Sequence, residues 1–216
     1  MKKSSILILI IICLVGCKKG SNETTITGEI KGLGTDTLYL YGMDELYDRI
    51  DTIYVENDKF SYTTSVDTIT SAYLLLKNRI EYPVFLDKGN KIKIKGDTIN
   101  LNFLTISGNI YNEEFTDFQK ALEDPADPSE KAGEETVDKR ITVEKANTAE
   151  EMAEEFILQH HSSYVSLYLL DKYFVQKETP DFSKIKKLVE VMTGVLQDKP
   201  YICLLYTSDA ADDSLR

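Results

Sequence analysis

Few side chains in this 216-residue chain have the type and spacing that covalent or metal chemistry requires. The cysteines Cys13, Cys17 and Cys203 match no zinc cluster of the usual spacing, and their positions argue against a structural disulfide. The only imidazoles, His160 and His161, are adjacent, so on a helix their rings point in different directions and cannot form an i, i+4 metal-binding pair. We therefore expect no metal site here, and a structural or surface role for both histidines.

Two other segments contain residues of the types found in calcium sites and in phosphate-binding loops, but neither has the spacing that such a site requires. One loop is crowded with carboxylates, at Asp44, Glu45, Asp48 and Asp51. Without the Asp-x-Asp-x-Asp-Gly order of a calcium site, we expect it to be solvated. Gly32-Leu33-Gly34 lacks a third glycine and a following helix, which predicts a strand connection rather than a phosphate loop.

The catalytic motifs GxSxG and CxxC are absent. The serine, histidine and aspartate residues do not follow one another in an order from which the predicted fold would assemble a catalytic triad. The sequence therefore predicts no catalytic, cofactor-binding or metal-binding residue. We expect that this chain is not an enzyme.

The first 16 residues have the pattern of an export signal. Lys2 and Lys3 form a positive n-region, and an apolar run over residues 6–14 ends in small residues before Cys17. The run is shorter than the about 20 apolar residues of a resident transmembrane helix, and two lysines follow Cys17 directly. We expect segment 1–16 to be removed.

Leu14-Val15-Gly16-Cys17 resembles the lipobox of bacterial lipoproteins, in which a small residue precedes the cysteine so that a signal peptidase can cut there. The resemblance implies that the Cys17 thiol becomes a diacylglyceryl thioether, that the chain is cleaved before it, and that the new N-terminus is usually acylated, for example with palmitate. Two or more acyl chains hold a protein stably on a membrane. Cys13 would then be discarded, and residues 17–25 would be a flexible tether. Ordinary secretion with cleavage nearby is the alternative.

The same resemblance implies a location. Surface-exported lipoproteins of some Gram-negative bacteria carry acidic residues directly after the cysteine, whereas this chain has Lys18 and Lys19. We therefore expect a protein that is lipid-anchored to the outer membrane on its periplasmic face, with the membrane as its partner through the lipid on Cys17.

The last 14 residues resemble a sequence that does not come from the natural gene. From Cys203 the chain reads CLLYTSDAADD, which resembles the in-frame translation of a transposase adapter used to prepare sequencing libraries. This implies that the natural coding sequence is interrupted near Ile202, that residues 203–216 are non-native, and that Cys203 is neither a redox thiol nor a ligand. A natural polar tail is the alternative.

Composition narrows the classes of partner. The chain is 42% apolar and 28% charged, which is typical of a protein able to bury a core. With 25 Lys and Arg against 36 Asp and Glu, the formal net charge is −11. This charge repels phosphate backbones and argues against nucleic acid or anionic lipid as a binding partner.

Residues 26–108 predict an antiparallel β domain, because apolar residues alternate with period two and turn residues punctuate them. The clearest strand is 91–95, with lysines outward and isoleucines inward. Alternating residues on both sides of Asn57-Asp58 predict a hairpin. Further strands are expected at 24–31, 37–41, 71–78, 82–86 and 103–107. About seven or eight short strands suffice for a β-sandwich or an open barrel.

Residues 109–202 predict a helical region, because the apolar period changes to about 3.6. Asn109 or Asn112 can cap a first helix that ends near Leu122. A charged helix is expected over about 134–158, a largely apolar helix after Ser162 or Ser163, and an amphipathic helix after Pro180. The predicted fold class is α+β, with an N-terminal antiparallel β-sandwich or open barrel followed by a helical region.

The order of these parts resembles a known family of lipoproteins. After the lipobox come Ile26-Thr27-Gly28-Glu29-Ile30, the hairpin at 55–62, and His161-Ser162-Ser163-Tyr164-Val165-Ser166. This order is similar to the N-terminal domain of unknown function that precedes a thioredoxin-like domain, of the thiol-specific antioxidant type, in lipoproteins of Gram-negative bacteria. The family usually has Asn-Gly where this chain has Asn57-Asp58, but both residues accept positive φ. The family's catalytic CxxC would lie beyond residue 202, so no catalytic residue is carried over.

Two functions follow as expectations. In the first, the chain is the lipid-anchored, non-catalytic N-terminal part of a truncated thioredoxin-like thiol:disulfide oxidoreductase, whose missing C-terminal domain would be its partner. In the second, it is a self-contained lipoprotein that binds a peptide, a glycan or a partner protein through a tyrosine-bearing β surface. The 13 tyrosines offer rigid amphipathic contact area, although on strands tyrosine is more often half-buried packing.

Overall fold

Among the described residues, eight short strands occupy the N-terminal half of the chain, as the alternating pattern predicts. The computed structural model describes residues 22–43, 46–123, 149–197 and 202. The strands are β1 (Glu23–Lys31), β2 (Asp36–Gly42), β3 (Ile50–Val55), β4 (Lys59–Ser65), β5 (Thr70–Leu75), β6 (Glu81–Leu86), β7 (Lys91–Asp97) and β8 (Thr105–Ser107). On β7 the isoleucines at 92 and 94 are buried and the lysines are exposed, which confirms the expected alternation.

The strands form two four-stranded sheets that pack as a sandwich, and neither sheet closes into a barrel. The first sheet has the order β4-β1-β7-β8, and the second has the order β3-β2-β5-β6. All the pairings but one are antiparallel; β1 and β7 run parallel, with Thr25 opposite Lys91. The sheets are thus largely antiparallel, as predicted, with one parallel pair, because the chain leaves the first sheet after β4, runs through β5 and β6, and returns as β7 in the direction of β1.

The predicted turn at Asn57-Asp58 joins β3 to β4, but these strands lie in different sheets and are bridged only at Glu56 and Lys59, so the turn is confirmed and the pairing of its two arms as a hairpin is not. Asn57 and Asp58 have φ of 51° and 69°, the left-handed conformation that these residue types tolerate. The amide of Gly34 donates to Asp58 Oδ1 at 2.6 Å, and the amide of Asp58 donates to the Gly34 carbonyl at 2.9 Å. Gly32-Leu33-Gly34 is thus a strand connection between β1 and β2, as predicted, and it is fastened to the turn at Asn57-Asp58.

Helices follow the strands in the described part of the chain. They are α1 (Ile110–Glu123), α2 (described over residues 149–159), α3 (Tyr164–Leu170), a π-helical turn that continues α3 (Asp171–Val175), and α4 (Phe182–Val191). The rest of the helix expected over about 134–158 lies outside the described residues. The fold class is α+β, with strands first and helices after them, as predicted.

Side-chain caps begin three of the helices. Asn109 Oδ1 accepts from the amide of Asn112 at 3.0 Å, which makes Asn109 the cap of α1. Ser163 Oγ accepts from the amide of Val165 at 3.2 Å, and Asp181 Oδ1 accepts from the amide of Lys184 at 3.1 Å. Each cap satisfies an amide that has no partner within its helix.

Helix α1 lies along the open side of the sandwich and bonds to the edge strands of both sheets. The Asn112 side chain accepts from the Phe85 amide at 3.0 Å and donates to the Phe85 carbonyl at 2.8 Å. It thus makes the two hydrogen bonds that the backbone of an adjacent strand would make to Phe85 of β6. Thr116 Oγ1 accepts from the Ile106 amide and donates to the Ile106 carbonyl, both at 2.9 Å, and so pairs with β8. All four backbone groups are thereby satisfied.

We predict that Thr116→Val lowers the free energy of unfolding by about 1–3 kcal/mol, because valine has the same shape but leaves the Ile106 amide and carbonyl buried without a partner. The measurement is urea unfolding followed by circular dichroism. Thr105→Val, at an exposed position on the same strand, is the control and should change the free energy by no more than about 0.5 kcal/mol. Equal effects of the two substitutions would contradict the role given to Thr116.

Candidate binding surface

The outer face of the second sheet is only partly covered by the helices. Tyr73 on β5 contacts Tyr168 of α3, with ring centroids 6.5 Å apart, and Phe85 on β6 contacts Tyr111 of α1 at 6.3 Å. Tyr41 packs beside Tyr73 at 5.7 Å. The helices therefore cover β5 and β6 and leave the outer face of β2 and β3 in contact with solvent.

Large apolar side chains stand on this uncovered part. Tyr39, Ile50 and Tyr54 are 41%, 73% and 73% exposed, and we call them the β2–β3 patch. Cross-strand register places Ile50 opposite Tyr41, and Tyr39 opposite Thr52. Since β3 is the edge strand of its sheet, the patch offers aromatic faces and hydroxyl groups beside a strand edge.

A polar cluster fixes the start of β3 next to the end of β4. The Tyr47 hydroxyl bonds to Asp51 and lies 3.2 Å from Thr64 Oγ1. Arg49 Nε donates to Asp51 Oδ2 at 3.2 Å, and Arg49 Nη2 donates to the Ser65 carbonyl at 3.2 Å. The Arg49 guanidinium also lies 4.7 Å from the centre of the Tyr47 ring. These bonds tie the second sheet to the first and hold the strand that carries Ile50 and Tyr54.

Electrostatics keeps this cluster structural rather than reactive. Burial, helped by a hydrogen bond to Asp51, raises the pKa of Tyr62 to about 12. Burial likewise raises the pKa of Tyr47, and the bond to Asp51 adds to that rise. Both phenols are therefore neutral donors at physiological pH. Asp51, which sequence analysis placed in the acidic loop, lies on β3 and bonds to Arg49 and Tyr47.

The remaining residues that sequence analysis singled out are not brought together into a site. The His160 ring stacks on Phe156 with centroids 4.0 Å apart, whereas His161 is exposed and its Nε2 lies 2.6 Å from the Leu158 carbonyl oxygen. Among the described residues, no group of three or more His, Cys, Asp or Glu is placed to hold a metal ion. Asp44 and Glu45 lie outside the described residues.

The three cysteines, including Cys17, also lie outside the described residues. Within the ranges that the structure describes, no helix has the length and apolarity needed to cross a membrane.

Sequence reasoning did not single out Ile50 as part of a surface. The signal was present, because Ile50, Thr52 and Tyr54 alternate with the buried Ile53 and Val55 and so occupy the outward positions of β3. A large aliphatic residue at an outward position of an edge strand is the feature that should have drawn notice.

Comparison with known proteins identifies one part of the chain. Residues 24–115 match the family model described as Domain of unknown function (DUF4369). The expected domain of unknown function is thereby shown. The DUF4369 match runs from β1 into α1 and includes the whole β2–β3 patch. No curated protein and no solved structure matches the chain significantly.

We predict that the β2–β3 patch contributes little to the stability of the DUF4369 domain. Ile50→Thr and Tyr54→Thr keep a residue that suits strands and should each change the free energy of unfolding by no more than about 0.5 kcal/mol. Ile53→Ala, at the buried neighbouring position, should lower it by about 2–5 kcal/mol. Chemical denaturation of the three variants makes the comparison, and a large loss in either threonine variant would mean that the patch supports the fold.

Proposed function

We propose that this chain is the lipid-anchored, non-catalytic N-terminal part of a thioredoxin-like thiol:disulfide oxidoreductase that faces the periplasm. In this role the DUF4369 domain and its helices hold the enzyme at the outer membrane and present a binding surface beside it. The observation that carries the proposal is a folded domain with an exposed apolar patch and, among the described residues, no thiol and no group of three or more side chains placed to hold a metal ion.

The absence of thiols supports a non-catalytic role. Thiol–disulfide exchange requires a thiolate to attack a disulfide, and the described residues contain no cysteine. The phenols near the patch do not replace it, because burial raises the pKa of Tyr47 and Tyr62 and keeps them protonated. The chemistry of the whole enzyme would then belong to the thioredoxin-like domain.

The lipid anchor is supported by the lipobox-like Leu14-Val15-Gly16-Cys17 and by the position of the fold relative to it. The first strand begins at Glu23, six residues after Cys17. Six residues span at most about 20 Å, so the anchor would hold the first sheet close to the membrane.

A second function is favoured by the β2–β3 patch itself. Exposed Tyr39, Ile50 and Tyr54 beside an edge strand suit a self-contained lipoprotein that binds an extended peptide, a glycan or a partner protein. In that case Ile50→Thr and Tyr54→Thr would abolish binding to the ligand while leaving the fold intact, and binding would not require any thioredoxin-like domain.

We predict that Cys17→Ala abolishes lipidation. In a Gram-negative host the unaltered chain should incorporate labelled palmitate and the variant should not, because no thiol remains to form the thioether. Cys13→Ala is the matched control and should be labelled like the unaltered chain, since residue 13 would lie in the discarded segment. Labelling that survives Cys17→Ala, or is lost in Cys13→Ala, would refute the anchor.

We predict that the chain alone has no thiol-reductase activity. In the insulin precipitation assay with dithiothreitol, its rate should equal that of the protein-free reaction, because a thioether at Cys17 offers no thiolate. The Cys203→Ala variant removes any reductase activity that the thiol of Cys203 in residues 203–216 would add. Acceleration that persists in this variant would show that the chain is catalytic, contrary to the proposal.

A further inference from the structure

The outer face of the first sheet differs in chemistry from the patch on the second sheet. Its outward positions on β1, β4 and β7 carry lysine, threonine, serine and carboxylate side chains and no apolar residue. The exposed lysines on these strands are Lys31, Lys59, Lys91, Lys93 and Lys95, which we call the lysine face. Outward carboxylates on the same strands are only Glu23, Glu29 and Asp97. A chain with a net charge of −11 thus has one locally basic face.

The strand register concentrates these charges. Lys91, Lys93 and Lys95 form a row along β7 with a spacing of about 6.6 Å, twice the rise per residue of a strand. Glu29 lies between Lys59 on β4 and Lys95 on β7, so that one carboxylate faces two ammonium groups.

The lysines of this face are also without ion-pair partners. In the part of the chain that the structure describes, none of Lys59, Lys91, Lys93 and Lys95 lies within 4.0 Å of a carboxylate oxygen. Lysines elsewhere do, such as Lys77 with Asp36 at 3.0 Å and Lys120 with Asp117 at 2.8 Å. The ammonium groups of the face are therefore available to an external anion.

A shallow depression at the centre of the face has the size and lining for an anionic group. Its volume is about 290 Å³, and its lining includes Thr27, Glu29, Lys59 and Lys93. Its two ammonium groups outnumber its one carboxylate, Glu29, so the lining is net positive, and with the Thr27 hydroxyl it suits a phosphate, which accepts hydrogen bonds through several oxygens.

We propose that the lysine face docks on the anionic phospholipid headgroups of the membrane that anchors the chain. Protein-binding surfaces are depleted in lysine and enriched in aromatic residues, and the exposed aromatic residues of the described strands, Tyr39 and Tyr54, lie on the other sheet. A flat row of unpaired lysines instead suits a surface of many phosphates. Because the outer faces of the two sheets point in opposite directions, docking through the lysine face would leave the β2–β3 patch directed away from the membrane.

The position of the face relative to the anchor supports this partner, a step that rests on the proposed lipid at Cys17. The strands β1 and β7 run parallel, so Lys91 at the start of β7 lies at the same end of the sheet as the tether. Lys18 and Lys19 of the tether would add positive charge at this end.

The net charge of the chain does not oppose docking at contact distance. Charges are screened over about 8 Å at physiological ionic strength, so the carboxylates of the far sheet and the helices act weakly on a phosphate that touches the lysine face. The net charge of the whole chain argues against binding to anionic lipid, but that argument does not apply to the lysine face.

The test uses a chain that begins at residue 17 and carries Cys17→Ala, which retains every described residue and has no lipid. Sedimentation with vesicles of phosphatidylglycerol and phosphatidylcholine should show binding that falls as salt rises, and vesicles of phosphatidylcholine alone should bind much less. Lys91→Gln, Lys93→Gln and Lys95→Gln together should weaken binding roughly 100-fold, about fivefold for each lysine near the surface. Equal melting temperatures would show that the exposed substitutions leave the fold intact.

The matched control is Lys120→Gln, Lys186→Gln and Lys187→Gln, which changes the net charge by the same amount at exposed helix positions. It should weaken binding less than threefold. Equal weakening by both triple variants, equal binding to neutral vesicles, or no binding to anionic vesicles would each overturn the proposal. Since no lipid is attached in this experiment, its outcome is independent of whether Cys17 is acylated, which the palmitate labelling decides.

Discussion

The sandwich depends on the pairing of helix α1 with the edges of both sheets. Asn112 and Thr116 are four residues apart, so they lie on one face of the helix, one turn from each other. One reaches Phe85 on β6 and the other reaches Ile106 on β8, and each supplies both a donor and an acceptor. A helix that meets these backbone groups with two side chains closes the open side of the sandwich without a further strand, and it removes two edges that would otherwise pair with other chains.

The position of α1 determines what the other helices can cover. Phe115 lies between Asn112 and Thr116 in the sequence and contacts the rings of Tyr82, Phe85 and Tyr168. It therefore joins the inner face of the second sheet, its outer face and helix α3 in one aromatic cluster. The helical layer is fastened on the α1 side of the sheet, over β5 and β6. The outer face of β2 and β3 stays uncovered for this reason, and its apolar residues are exposed as a result of the architecture.

Much of the fold could be predicted from local pattern, whereas interactions between distant segments could not. The period-two alternation of apolar residues predicts the strands, and Asn57-Asp58 predicts the turn between β3 and β4, because these signals depend on neighbouring residues. The parallel pairing of β1 with β7 has the same period as an antiparallel pairing and left no trace in the sequence. Asn112 was recognised only as a possible cap, since nothing nearby indicates a bond to Phe85. The outward lysines of β7 follow from the alternation, but their grouping with Lys31 and Lys59 does not, because it depends on the pairing of β1 with β4 and β7.

Two surfaces of different chemistry on one sandwich suit the proposed role, in which the domain acts by position instead of by reaction. Packed sheets lie about 10 Å apart, and the side chains of both outer faces add to that separation. The distance exceeds the screening length of about 8 Å at physiological ionic strength. A charged ligand at the β2–β3 patch would therefore interact only weakly with an anion bound at the lysine face, so that the two surfaces could bind different partners independently. In the role proposed for this chain beside a membrane, such independence would let the domain keep its orientation whatever the β2–β3 patch holds.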